Sequence, residues 1–198
     1  MVSADESILL DRAAAGETEA FRILFETHHE AIFRVAFRLT NQREAAEDIT
    51  QDCFLRLVSR RGGFDPNRGS LRQFLHGMAR NLVSQYWTAR VTDVSLNDED
   101  ADDPPADDLP PVDAIIFREI ADAVQAALAT LPILQREAIV LFEFEDLSLE
   151  EVAVTVGADV GTVKSRLHRA RKRLRLALGP YWESRTSPRK GVSCEIAK

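Results

Sequence analysis

The segment VTDVSLNDEDADDPPADDLPPV, residues 91–112, decides how the rest of this chain can fold. It holds eight acids, four prolines and no basic residue. A stretch of that composition buries too little apolar surface to offset the entropy of ordering it, and its like charges repel. It reads as a disordered, extended tether. The 198 residues then divide into a unit at 1–90, the tether at 91–112, a second unit at 113–180 and a flexible tail at 181–198. The formal charge of the chain is −7, while the tether alone carries −8, so everything else sums to +1. The acidity of the protein is the acidity of its tether.

Both flanking units read as helical, and the first has no alternating β-branched run. In AFRILFETHHEAIFRVAFRL, the residues Phe21, Leu24, Phe25, Ile32, Val35, Ala36 and Leu39 recur with the 3.6-residue period of one buried helix face. Asn41 with Glu44 has the spacing of a capping box opening the next helix, and Ser70 with Gln73 suggests another helix start. Between them, RGGFDPNRG is a loop by its Gly, Pro and Asn content. After the tether, a helix is expected over 113–131, and Pro132 marks the start of one at 133–144. Ser148 with Glu151 caps a helix over 148–156, and a last one runs from 160 to 178, ended by Gly179 and Pro180. The expected fold class is all-α, two small helical domains on a flexible acidic linker.

The segment LSLEEVAVTVGADVGTVKSRLHRARKRLR carries the sharpest functional signal. A short helix, a glycine turn at Gly157 and a longer helix have the layout of a helix-turn-helix. Ala153 is small where the helices cross, and Val163 plugs the space between them. On the second helix Val163, Leu167, Leu174 and Leu178 form an apolar stripe with Ala170 beside it. The other face carries Lys164, Ser165, His168, Arg169, Lys172 and Arg175. Seven of the thirteen residues 163–175 are Lys or Arg and none is acidic. An ordinary solvated face mixes signs and gains i,i+4 pairs. A uniformly basic one repels itself unless a polyanion compensates, which points to the major groove of DNA.

Other function classes find little support. No apolar run reaches the roughly 18–20 residues of a membrane span, and the acidic start MVSADESILLDRAAAGE lacks the basic and apolar blocks of a secretory signal. The expected location is the cytoplasm. Cys53 lies in a helical pattern as a small core residue, and Cys194 in a polar tail. No metal-ligand spacing, nucleophile–base pair or phosphate-binding glycine loop is present, so neither a cofactor, a metal site nor an enzyme is expected.

Three stretches together carry a family resemblance: EAAEDITQDCFLRL, FDPNRGSLRQFLHGMARNLVSQYW and LPILQREAIVLFEFEDLSLEEVAVTVGADVGTVKSRLHRARKRL. In that order, over about residues 18–178, the chain resembles the extracytoplasmic-function (ECF) sigma factors of the sigma-70 group. The resemblance implies a sigma factor that binds core RNA polymerase and directs promoter recognition and opening. It implies that Asp48, Gln51, Asp52, Leu55 and Arg56 meet the clamp helices of the largest polymerase subunit. Asp48, Asp52 and Leu55 indeed share one helix stripe by their i, i+4, i+7 spacing. For the −10 element it implies Phe64 as a stacking ring, Arg68 and Arg72 as phosphate contacts and Asn81 beside a flipped base. Phe74 and Tyr86, at helical spacing, read as core. For the −35 element it implies Lys164, Ser165, Arg166, His168, Arg169 and Lys172. Promoter DNA, core polymerase and an anti-sigma factor are the implied partners. A stand-alone helix-turn-helix regulator is the alternative reading.

Overall fold

The computed structural model describes residues 2–59, 63–92 and 112–186. Among the described residues every regular element is helical. The first half contains α1 (Val2–Ala14), α2 (Thr18–Thr40), α3 (Arg43–Ser59) and α4 (Leu71–Thr92). The second contains α5 (Val112–Ala129), α6 (Ile133–Ile139), a π-helical turn (Val140–Phe144), α7 (Leu149–Val156) and α8 (Val160–Thr186). Most of the tether, at 93–111, lies outside the described residues, as does 187–198 of the tail.

The spine is α2, against which α1, α3, α4, α5 and the π-helical turn all pack. Leu24, Ile32, Val35, Ala36 and Leu39 are buried along it, as the apolar period requires, but Phe21 and Phe25 lie at the edge of that face and are only half-buried. From α3 come Ile49, Cys53, Phe54 and Leu57, and from α4 Leu71, Leu75, Ala79, Leu82 and Val83. Phe74 and Tyr86 are half-buried and pack against this core. Each large apolar side chain so enclosed contributes about 1.5–3 kcal/mol.

Three local expectations need correction. Asn41 does not open α3. It ends α2 in the left-handed conformation (φ 59°), its N–H returning to the Phe37 carbonyl at 2.8 Å. Asn tolerates that conformation better than other residues with a Cβ, so the same side chain that suits an N-cap also suits a helix stop. Pro180 does not end α8, which continues to Thr186. A proline removes one backbone donor but keeps a helical φ, and here the helix runs on through it. Residues 181–186 thus carry helix where a frayed tail was expected. Finally, the element expected as one helix over 133–144 changes from α6 into the π-helical turn at Val140.

The two halves do not stand apart. Leu128, Leu131, Ile139, Val140 and Leu141 join the first half's apolar residues in one unbroken cluster. Polar ties run alongside. Gln125 Nε2 donates to the Phe37 carbonyl at 3.0 Å and to Asn41 Oδ1 at 2.9 Å. The buried Arg136 donates to the carbonyls of Leu39 (2.8 Å), Leu131 (3.1 Å) and Ala129. Leu39 and Ala129 lie in the last turns of α2 and α5, so one guanidinium satisfies orphan carbonyls at two helix ends. Burial lowers its pKa.

Candidate nucleic-acid interface

The helix-turn-helix is built locally before anything packs on it. Ser148 and Glu151 form a full capping box: the Glu151 N–H donates to Ser148 Oγ at 3.2 Å, and the Ser148 N–H donates to Glu151 Oε2 at 2.8 Å. Gly157 ends α7 at φ 64°, a left-handed conformation that glycine adopts without a Cβ penalty. Asp159 then opens α8, accepting from the Thr162 N–H at 2.8 Å and the Thr162 hydroxyl at 2.6 Å, which together lower its pKa. Ala153, Val163, Leu167 and Ala170 are buried between the helices; Leu174 and Leu178 are half-buried at the end of the stripe.

This frame leaves Lys164, Ser165, His168, Arg169, Lys172 and Arg175 exposed together along α8. Ser165 Oγ donates to the Gly161 carbonyl at 3.0 Å. Arg166 departs from the group. It is half-buried, and its Nη1 is enclosed without a hydrogen-bond partner. Arg171 is also turned away, paired with Glu143 at 2.6 Å and lying over the Phe142 ring at 5.5 Å.

A second site lies on the first half, where the 63–70 loop meets α4. Asp65 Oδ1 accepts the Asn67 N–H at 3.0 Å and the Arg68 N–H reaches the Asp65 carbonyl at 3.0 Å, closing a tight turn. Gly69 (φ 147°) brings the backbone so near Gln73 that a Cβ there would fall 2.3 Å from Gln73 Oε1. The Gln73 N–H in turn donates to Ser70 Oγ at 3.2 Å, the helix start read from the sequence. The result is a cavity of about 440 Å³ lined by loop residues and by one face of α4. Phe64, Arg68 and Asn81 all border it, with Phe64 tilted against Phe74 at 5.7 Å. Asn81 is exposed, and its Oδ1 accepts from Arg80 at 3.4 Å. Arg72 is not among the lining residues. Gln73, read from the sequence only as part of a helix start, is, and so are Met78, which the sequence did not single out, and Val154 and Thr155 from α7.

A third surface is the outer face of α3. Asp48, Gln51, Asp52 and Leu55 are exposed on it; Leu55 is 58% accessible, unusual for a leucine. Arg56 is half-buried and lies 3.8 Å from Asp52. Gln51 and Leu55 border an apolar groove of about 640 Å³ whose floor is Phe21, Phe25, Phe33 and Phe54. Periodicity placed Phe21 and Phe25 on the core face; nothing local signals that the groove stays open. Among the described residues no helix is long and apolar enough to cross a membrane.

Comparison with known proteins matches two stretches of the chain to described modules. Residues 24–91 match sigma-70 region 2, and residues 121–174 match sigma-70 region 4. The chain is 31% identical over 171 residues to the ECF RNA polymerase sigma factor SigW of Bacillus subtilis, covering 82% of this chain and 91% of SigW. It is 30% identical over 180 residues to the RNA polymerase sigma-H factor of Pseudomonas aeruginosa, covering 87% and 93%. With the ECF RNA polymerase sigma factor SigE of Mycolicibacterium smegmatis it shares 35% over 153 residues, 77% of this chain but only 59% of that longer relative. The sigma factor RpoE of Bartonella quintana, solved in complex with the anti-sigma factor NepR, superposes with a TM-score of 0.66 at 26% identity, covering 82% of this chain and 98% of RpoE. CnrH, solved with the cytosolic domain of CnrY, shares the fold at a TM-score of 0.63 and 24% identity, covering 88% and 97%.

Proposed function

Since the chain belongs to the sigma-70 family, in its ECF branch, we propose that it works as a promoter-specificity subunit: it binds core RNA polymerase, recognises promoter DNA and supports its opening. One observation supports this reading above the others. A single chain carries both a reader for duplex DNA, the exposed basic face of α8, and a separate loop-lined pocket of a size and polarity suited to an unpaired base. A protein that only binds duplex DNA needs the first and has no use for the second.

The roles divide accordingly. Lys164, Ser165, His168, Arg169 and Lys172 present donors to base edges and phosphates of the −35 element, while Arg166 acts from the half-buried flank. Phe64 and Arg68 serve the −10 element by stacking and phosphate contact, and Asn81 offers a donor and an acceptor to a flipped base. Arg72 joins them once the two halves separate. The α3 stripe of Asp48, Gln51, Asp52, Leu55 and Arg56 meets the polymerase clamp, its carboxylates suited to a basic partner and its leucine to an apolar one. The protein acts in the cytoplasm, is not itself an enzyme and needs no cofactor. An anti-sigma factor, such as the one seen with RpoE, covers the same surfaces when the factor is held inactive.

Affinity capture with core polymerase, followed by run-off transcription, tests the reading. The expected result is a one-to-one complex that starts transcription at defined sites. Tight binding to duplex DNA with no affinity for polymerase would instead make it a stand-alone regulator.

A further inference from the structure

In the chain without polymerase, Arg72, assigned above to the phosphates of the −10 element, is already engaged by a glutamate of the other half, and so are its neighbours Arg38 and Arg80. Arg72, on α4, donates through Nη2 to the Glu145 carbonyl at 2.5 Å and lies 3.5 Å from Glu145 Oε2. Arg38 reaches Glu145 Oε1 at 3.1 Å, and Arg34 stands 4.0 Å from the same oxygen. Arg38 also lies over the Phe144 ring at 4.4 Å. Two turns further along α4, Arg80 pairs with Glu137 at 3.1 Å. Glu145 is completely enclosed and Glu137 nearly so. Three guanidiniums around one point repel strongly unless an anion sits between them. A carboxylate and a phosphodiester meet a guanidinium with the same chemistry, two anionic oxygens in one plane.

The second half also covers the pocket. Val154 and Thr155 form one wall of the cavity beside Asn81. Gln73 Nε2 donates to the Glu151 carbonyl at 3.5 Å, and a Cβ at Gly77 would lie 3.9 Å from Thr155 Cγ2. Yet the closure is imperfectly satisfied. Glu145 Oε2 and both ring nitrogens of His76, buried beside it at 3.7 Å, lack hydrogen-bond partners. Unmet polar groups of this kind make a buried network costly to keep. The carboxylate follows directly on the π-helical turn, a geometry that recurs at sites of conformational function.

We propose that Glu145 and Glu137 act as intramolecular phosphate surrogates, holding Arg72, Arg38 and Arg80 in a closed chain whose α7 covers the 63–81 pocket, so that single-stranded promoter DNA and the second half compete for the same guanidinium groups. The inference rests on the −10 role of the 63–70 loop and α4 given above. The closed chain is then blind to single strands until polymerase draws the halves apart.

Anisotropy of a fluorescent, A/T-rich single-stranded oligonucleotide titrated with the full chain, without polymerase, tests this. The Glu137→Gln/Glu145→Gln double variant should bind about tenfold more tightly than wild type, because apparent affinity scales with the open fraction. A second arm does not depend on removing charge. Gly77→Cys with Thr155→Cys, in a Cys194→Ser background, sets two thiols opposite each other where α4 meets α7, for a disulfide or a short bifunctional thiol crosslinker to join. The oxidised form should lose oligonucleotide binding and regain it on reduction. Equal affinities for wild type and the double variant, or for oxidised and reduced crosslink, overturn the proposal. A parallel titration of wild type bound to core polymerase separates the two levels. If that complex holds the oligonucleotide and the free variants show no gain, only the surrogate mechanism falls. If it does not, the −10 role falls and the mechanism with it.

Discussion

Arg169 stands in the middle of the exposed face of α8, fully available to a groove, and its neighbours on the buried side owe it nothing. Arg169→Ala should therefore lower run-off transcription by about tenfold or more, the loss of one good base contact at 1–3 kcal/mol. Capture of polymerase should be unchanged, and thermal stability should move little. His76 behaves oppositely, since it is wholly enclosed and touches no proposed ligand. Burial first, then the charges of Arg72, His28 and Arg34, push its pKa down to about 3. A histidine held neutral in the fold favours folding above its ordinary value of about 6.5. Below that the unfolded chain takes up the proton first, so this contribution is lost as the pH falls from about 6.5 towards about 3. His76→Gln should flatten that acid limb in melting curves recorded across this range. Cys53 is likewise a residue of the interior: burial raises its pKa to about 12. At pH 8 about one thiol in ten thousand is then ionised, so iodoacetamide should leave it unmodified until the chain unfolds.

At the scale of elements, α7 is the one most exposed to a single change. It has only eight residues and is held at one end by the capping box and at the other by Gly157. Ser148→Ala should cost about 1 kcal/mol, and Gly157→Ala a similar amount through its positive φ, each read as a lower urea midpoint with an unchanged slope. What could be read beforehand about these elements follows one rule. Signals carried by residues close in sequence were legible: the Ser148–Glu151 box, the Gly157 turn, the Pro132 start, the buried stripe of α8. Signals that one residue type sends in two contexts were not. Asn41 fits either end of a helix, and Pro180 stops a helix only when the lost hydrogen bond matters. The π-helical turn has no local signature; it packs on α2, and Glu145 just after it pairs with Arg38 of α2 and Arg72 of α4.

The whole molecule adds what neither residues nor elements could foretell. The exposed face of α8 and the 63–70 loop were legible because their chemistry is local. The engagement of Arg72 by Glu145 was not, since it joins residues 73 positions apart. The same holds for α7 as a wall of the 63–81 pocket. An apolar cluster that runs unbroken from α2 into α6 should make the two halves melt together. Tryptophan fluorescence and far-UV circular dichroism should report one coincident urea transition. Arg136→Ala, which frees carbonyls at the ends of α2 and α5, should pull the two signals apart.

The long sequence gap between Arg72 and Glu145 also has a consequence in time. Domains fold as units in the order they leave the ribosome, at about 5–20 residues per second. The first half can bury its own core as soon as α4 emerges, whereas Glu145 follows Arg72 by 73 residues. For about 4–15 s each newborn chain carries Arg72 before the glutamate that later pairs with it. The pairing that closes the chain therefore arrives last, with the second half.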